Sequence, residues 1–262
     1  MSEASAGPTG DFWLTAHDGV GKTRLLGDWP LGIGLAAGLL AELIHGGWCR
    51  LNEGRLFRED ADAPADAALR ALLDQMRLDE KDWPPSSRQP RQATYRAVHA
   101  LPDVGAYWPR AAPAVSIRPS AVGQFHPRGL GHDLREYLSW LAYDGRADLL
   151  VGERLVRVGR VRREERRRVF GGTTVRHEPV DFNVTGFPAS RIRTAVQHGL
   201  KLSGADLLLT GLLLVTGLDQ HALFTLTSAC RSELLSRLKA LDGQSRALLK
   251  AADVAVSDAA VR

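Results

Sequence analysis

Residues 31–44 read Leu31-Gly32-Ile33-Gly34-Leu35-Ala36-Ala37-Gly38-Leu39-Leu40-Ala41-Glu42-Leu43-Ile44, a nearly unbroken apolar run with one charge. Even extended back to Pro30, it falls short of the roughly 20 residues a bilayer span needs. Its glycines and Glu42 suit a protein core better than lipid, so it predicts a buried helix. Gly46-Gly47 end the run, and Trp48-Cys49-Arg50-Leu51 restart the chain as a short strand. A second apolar run, Ala205 to Leu218 with Asp206 near its start, reads in the same way. Two such helices predict a mainly α protein, and strand signals elsewhere add one or two short β-hairpins.

Outward from the first run, Asp11 to Ala16 alternates apolar and polar residues, breaks at His17-Asp18-Gly19-Val20-Gly21 and resumes at Lys22 to Leu26, a hairpin signal. Residues 1–10 read as a disordered tail, and 11–262 as a single domain. Asp66 precedes Ala67, Ala68, Leu69, Leu72, Leu73 and Met76, a helical face that ends before Trp83-Pro84-Pro85. Eight of the thirteen prolines fall between Pro84 and Pro127, which marks residues 84–130 as a proline-rich insertion. Its Tyr95, Tyr107, Trp108 and Phe125 predict that it packs as an ordered excursion. Helices follow from His132-Asp133 to Leu141 and from Leu149 to Val156, the second stopped at Gly159. Further helices are predicted over Ser190–Leu202, Asp206–Val215, Asp219–Leu226 and Ser232–Leu249.

Several chemistries lack their motifs. Gly21-Lys22-Thr23 resembles the end of a phosphate-binding P-loop, but the glycine required five positions before Gly21 is Ala16. The eight histidines form no H-E-x-x-H motif or Cys/His cluster, and no serine sits in a G-x-S-x-G elbow. We therefore expect no metal, cofactor or catalytic centre. Cys49 and Cys230 form no C-x-x-C pair and suggest a reducing compartment, and the N-terminus has no basic region followed by an apolar core, so a cytoplasmic location is expected.

The net charge of +4 is unevenly spread. Arg154, Arg157, Arg160, Arg162, Arg163, Arg166, Arg167 and Arg168 face only Glu164 and Glu165 over fifteen residues. With Gly171-Gly172 and the flanking Val and Thr residues, this stretch reads as a basic hairpin. Closely spaced guanidinium groups bind phosphate, of lipid or of nucleic acid. A helix ending at a glycine before a basic hairpin is also the outline of a winged helix. The blander reading is a solvated hairpin whose arginines pair with Glu164 and Glu165.

The order of these pieces resembles the Golgi phosphoprotein 3 family, which has many bacterial members. The match runs through Asp11-Phe12-Trp13-Leu14 and its Gly-Lys turn, Gly34 to Leu43, the block Glu153 to Arg167, and Leu212 to Phe224. The resemblance implies a mainly α fold with a compact helical bundle core, a hairpin able to mediate self-association and a pocket for phosphatidylinositol 4-phosphate. In eukaryotic members a Trp and an Arg near the first long helix, with two arginines on the helix before the hairpin, form that pocket. An ungapped register puts Gly27, Ala36, Gly145 and Asp148 at those four places. Trp29, Arg24 and Arg146 stand close by as substitutes, with Arg154 and Arg157 as further headgroup contacts.

The resulting expectation is a protein peripherally associated with membranes, binding acidic phospholipid or phosphoinositide surfaces, with Trp29 dipping into the interface. The alternative is a nucleic-acid-binding winged helix that uses the basic hairpin as its wing.

Overall fold

The computed structural model describes residues 6–18, 23–81, 131–167 and 173–260. The first half of the chain forms α1 (Gly7–Thr15), β1 (His17–Asp18), β2 (Thr23–Arg24), α2 (Asp28–His45), β3 (Cys49–Asn52), β4 (Arg55–Arg58) and α3 (Ala67–Lys81). After residue 131 come β5 (His132–Asp133), α4 (Leu134–Ala142), a 3-10 turn at Tyr143–Gly145, α5 (Arg146–Arg157) and the strands β6 (Val161–Arg167) and β7 (Thr173–Pro179). The chain then closes with α6 (Phe182–Gln197), α7 (Gly204–Val215), α8 (Asp219–Ala222), α9 (Ser228–Leu238) and α10 (Gly243–Ala260). The fold is mainly α, with short antiparallel strand pairs.

The apolar run becomes α2, in which every residue from Leu31 to Ile44 except Glu42 is buried. A helix that is apolar on all sides must be surrounded. Here α1, α4, α5, α7 and α10 pack around it. Gly34 permits the approach of α1, because a methyl at that position would meet the Phe12 ring at 2.4 Å. Each leucine buried in this way contributes about 1.5–3 kcal/mol. Among the described residues, no helix is long and apolar enough to cross a membrane.

Two expectations are corrected near the N-terminus. Asp11–Thr15 is helical rather than a strand, and residues 7–10, read as disordered tail, form the first part of the same helix. Pro8 suits a first helical turn. Thr9, Gly10, Phe12, Trp13, Leu14 and Thr15 are all buried, because α1 runs between α2, α5, α6 and α7. The hairpin is confined to β1 and β2, with His17 opposite Arg24. Its turn lies outside the described residues, as does the proline-rich segment.

Near the C-terminus, the helix predicted over Ser232–Leu249 is two helices. Asp242 stops the chain between them by accepting hydrogen bonds from the Ser245 N–H at 2.9 Å and the Ser245 hydroxyl at 2.6 Å, which opens α10. The helix read over Asp219–Leu226 shortens to the single turn of α8.

Candidate functional site: a basic hairpin and the N-terminal turn of α5

The hairpin is aimed by the end of α5. The Gly159 N–H donates to the Val156 carbonyl and the Arg160 N–H to the Leu155 carbonyl, both at 3.0 Å, while Gly159 takes the left-handed conformation at φ +71°. This paired closure needs a residue without a β-carbon. Val161, buried, then begins β6, which pairs with β7 from Val161 opposite Pro179 to Arg167 opposite Thr173. His177 anchors β7 from beneath. It is buried, its Nε2 lies 3.3 Å from Glu153 Oε1, and it packs on Gly152 of α5.

From Arg160 to Pro179 there are seven arginines against three glutamates, a balance of +4. Residues 84–130, with six arginines against one aspartate, are the other positive stretch, and the rest of the chain is net negative. Arg162 and Arg163 are exposed on β6. Arg163 pairs with Glu153 at 3.4 Å and Glu165 at 3.2 Å, and Arg176 pairs with Glu178 at 3.5 Å. The Glu-laced reading is thus partly realised, yet the hairpin keeps a large positive excess. Arg166 and Arg167 lie in β6, and Arg168 falls outside the described residues.

The other candidate residues do not form one cluster. Arg154 points inward and is corrected as a headgroup contact. Its Nη1 donates to Glu42 Oε2 at 2.6 Å and its Nη2 to Asp66 Oδ1 at 3.0 Å. Burial opposes the charged guanidinium, but the carboxylates of Glu42 and Asp66 outweigh it and hold its pKa above the usual value. Glu42 also accepts from the Thr9 hydroxyl at 2.6 Å, and Asp66 from the Leu69 N–H at the start of α3. This arginine ties four segments together. Arg157, one turn on, is exposed at the helix end, where burial of its stem lowers its pKa.

Trp29 is also turned inward. It packs on the core, and its indole N–H donates to the Ala255 carbonyl of α10 at 3.0 Å, so it is not the interfacial aromatic the sequence suggested. Arg24 and Arg146 both reach the N-terminal turn of α5. Arg24 donates to Asp28 at 2.8 Å and to Asp148 at 2.5 Å. Arg146 donates to the Trp140 carbonyl at 2.8 Å, pairs with Asp144 at 3.7 Å and lies over the Trp140 and Tyr143 rings. Tyr143, 61% exposed, is the aromatic that faces solvent here, and the sequence reading passed over it.

Beneath this turn, Trp13 donates its indole N–H to Asp148 at 2.6 Å and stacks on His17 with ring centroids 3.6 Å apart. The Trp13 carbonyl can only accept, so the 2.7 Å contact puts the proton of His17 on Nδ1. Burial lowers the His17 pKa to about 4, against the opposing effects of the Trp13 carbonyl and the Asp148 charge.

A winged-helix docking mode would need a free face on the helix before the wing. Along α5 only Leu149 and Arg157 are exposed, while α1, α2, α3 and α4 cover its other sides. The nucleic-acid reading therefore loses its recognition helix.

A helical bundle with an all-round buried central helix and a basic hairpin set by a glycine-stopped helix defines the class. Residues 111–259, more than half of the chain, match the family model of Golgi phosphoprotein 3 (GPP34), and the chain belongs to that family. The matched region begins inside the proline-rich segment and takes in α4 to α9 with most of α10. No curated protein matches the chain. At the level of the family, this membership supports lipid binding.

Proposed function

We propose that this protein is a peripheral membrane-binding module that docks on acidic phospholipid, phosphoinositide included, through the β6–β7 hairpin. The observation that carries this reading is the concentration of charge: seven arginines stand against three glutamates within residues 160–179, on an antiparallel arm set by the end of α5. Family membership supports the same ligand class. A basic residue near an anionic surface contributes about 1 kcal/mol, so the arm supplies measurable, salt-sensitive affinity. The role is binding rather than chemistry, exercised at a cytoplasmic membrane face, and the hairpin is also the element through which copies of the chain would associate.

The test is co-sedimentation of the purified protein with neutral and acidic vesicles at low and moderate salt. The wild type pellets with acidic vesicles only. The quadruple variant Arg162→Ala, Arg163→Ala, Arg166→Ala, Arg167→Ala stays in solution with its circular dichroism unchanged. Equal pelleting of the folded variant would sink the proposal.

A further inference from the structure

The root of the hairpin carries apolar side chains that the core does not take up. The Val180 N–H donates to the Arg160 carbonyl at 3.0 Å and closes the arm, yet Val180 is 47% exposed. In α6, Thr185, Pro188, Ala189 and Ile192 turn to the bundle, while Phe187 is 56% exposed. Phe187 stays beside the arm, lining one cleft of about 130 Å³ with Arg160, Val184 and Arg191. Its helix is pinned from below. Arg191, whose guanidinium lies 5.8 Å from the Phe187 ring centroid, is held by Asp11 of α1 at 2.9 Å and by Asp206 of α7 at 2.7 Å. Apolar residues scattered singly over a surface need no partner, but these two flank a segment with seven arginines against three glutamates. That composition suits an acidic lipid interface, where rings enter the boundary between headgroups and acyl chains and guanidinium groups stay with phosphate. A second copy of the same patch would set like charge against like.

We infer that Phe187, with Val180, forms an apolar wedge that enters the lipid interface beside the arm. The inference rests on the membrane reading proposed above and adds to it a contact of a different kind. Salt screens the attraction of the arginines but leaves the burial of the ring untouched.

The experiment uses the full-length protein and phosphatidylcholine vesicles containing phosphatidylglycerol, at low and moderate salt. Phe187→Ser binds about tenfold more weakly, by the same factor at both salts, and Phe187→Leu recovers most of the loss. Phe224→Ser, which removes a ring just as open to solvent after α8, changes binding less than about twofold. Depth is read from a nitrobenzoxadiazole label on the thiol introduced by Phe187→Cys in a Cys230→Ser background, in which the buried Cys49 stays unlabelled. On these vesicles its emission shifts to the blue and is quenched by doxyl lipids. A folded Phe187→Ser protein with wild-type affinity, an equal loss in Phe224→Ser, or a label that stays in water on vesicle-bound protein would each overturn the inference and leave the role of the arm standing. Weaker self-association of Phe187→Ser in sedimentation, with vesicle binding unchanged, would assign the patch to a second copy and overturn it as well. A wild type that binds no acidic vesicle overturns the membrane reading and this inference together.

Discussion

Arg154 Nη1 and Glu42 Oε2 lie 2.6 Å apart although 112 residues separate them in the chain. With Asp66 and Thr9 they join α1, α2, α5 and the start of α3 across the bundle.

Removing the cation from this junction leaves two carboxylates facing each other with little water. Arg154→Ala should therefore destabilise the fold by about 3–5 kcal/mol, with Arg154→Lys recovering part of it. Urea denaturation of the two variants checks this. A loss below about 1 kcal/mol would show that the carboxylates take up protons or relax outward.

The buried His17 makes stability depend on pH. Its folded pKa near 4 lies below its ordinary 6.5, so the unfolded chain binds the proton more readily. Stability is fully present above about pH 6.5 and falls as pH drops towards about 4, by up to about 3 kcal/mol. The groups around the ring, Asp148, Arg24 and Arg176, act on the same proton. In His17→Gln the slope between pH 4.5 and 7 should flatten relative to wild type. Parallel slopes would assign the pH dependence elsewhere.

The hairpin root is tightly packed. A β-carbon at position 152 would lie 2.5 Å from the His177 ring. Gly152→Ala should push β7 from α5 and destabilise by about 1–3 kcal/mol. The expected readout is a lower melting temperature with faster proteolysis within residues 160–179. An unchanged melting temperature would show that the His177 ring can swing aside without loss.

Neighbouring arginines on β6 should differ in lipid binding. Arg163 shares its charge with Glu153 and Glu165, whereas Arg162 lies opposite Glu178, whose carboxylate pairs with Arg176. Arg162→Ala should lose about fivefold in affinity for acidic vesicles and Arg163→Ala about half that effect in free energy. Both losses should shrink as salt is raised. The reverse order would mean that the membrane strips Arg163 from its carboxylates.

What could be read from the sequence follows the physical range of each signal. The runs behind α2 and α7, the glycine stop after α5 and the Asp133 cap of α4 are local, and the structure keeps them. The helix α1 was hidden because burial on every side erases the 3.6-residue period. The fragment Asp11-Phe12-Trp13-Leu14 then passed for alternation. The Asp242 cap that divides α9 from α10 was local and available, but the apolar spacing across it masked the break. At the site, the hairpin was legible as charge. The fate of Arg154 was not, since its partners lie 88 and 112 residues away. Trp29 likewise depends on Ala255, 226 residues further on. An arginine or a tryptophan announces what it can contact, and only the packed bundle decides which side of it faces out.

The crowding of arginines on the hairpin also bears on how the molecule travels. Charge crowded on a projecting arm is felt by an acidic surface before the helix that carries the arm is. Within about one Debye length of an acidic surface, roughly 8–10 Å, the field exerts a torque before any contact forms. On the proposed reading, an acidic surface would draw the hairpin first and set the orientation of the bundle before contact.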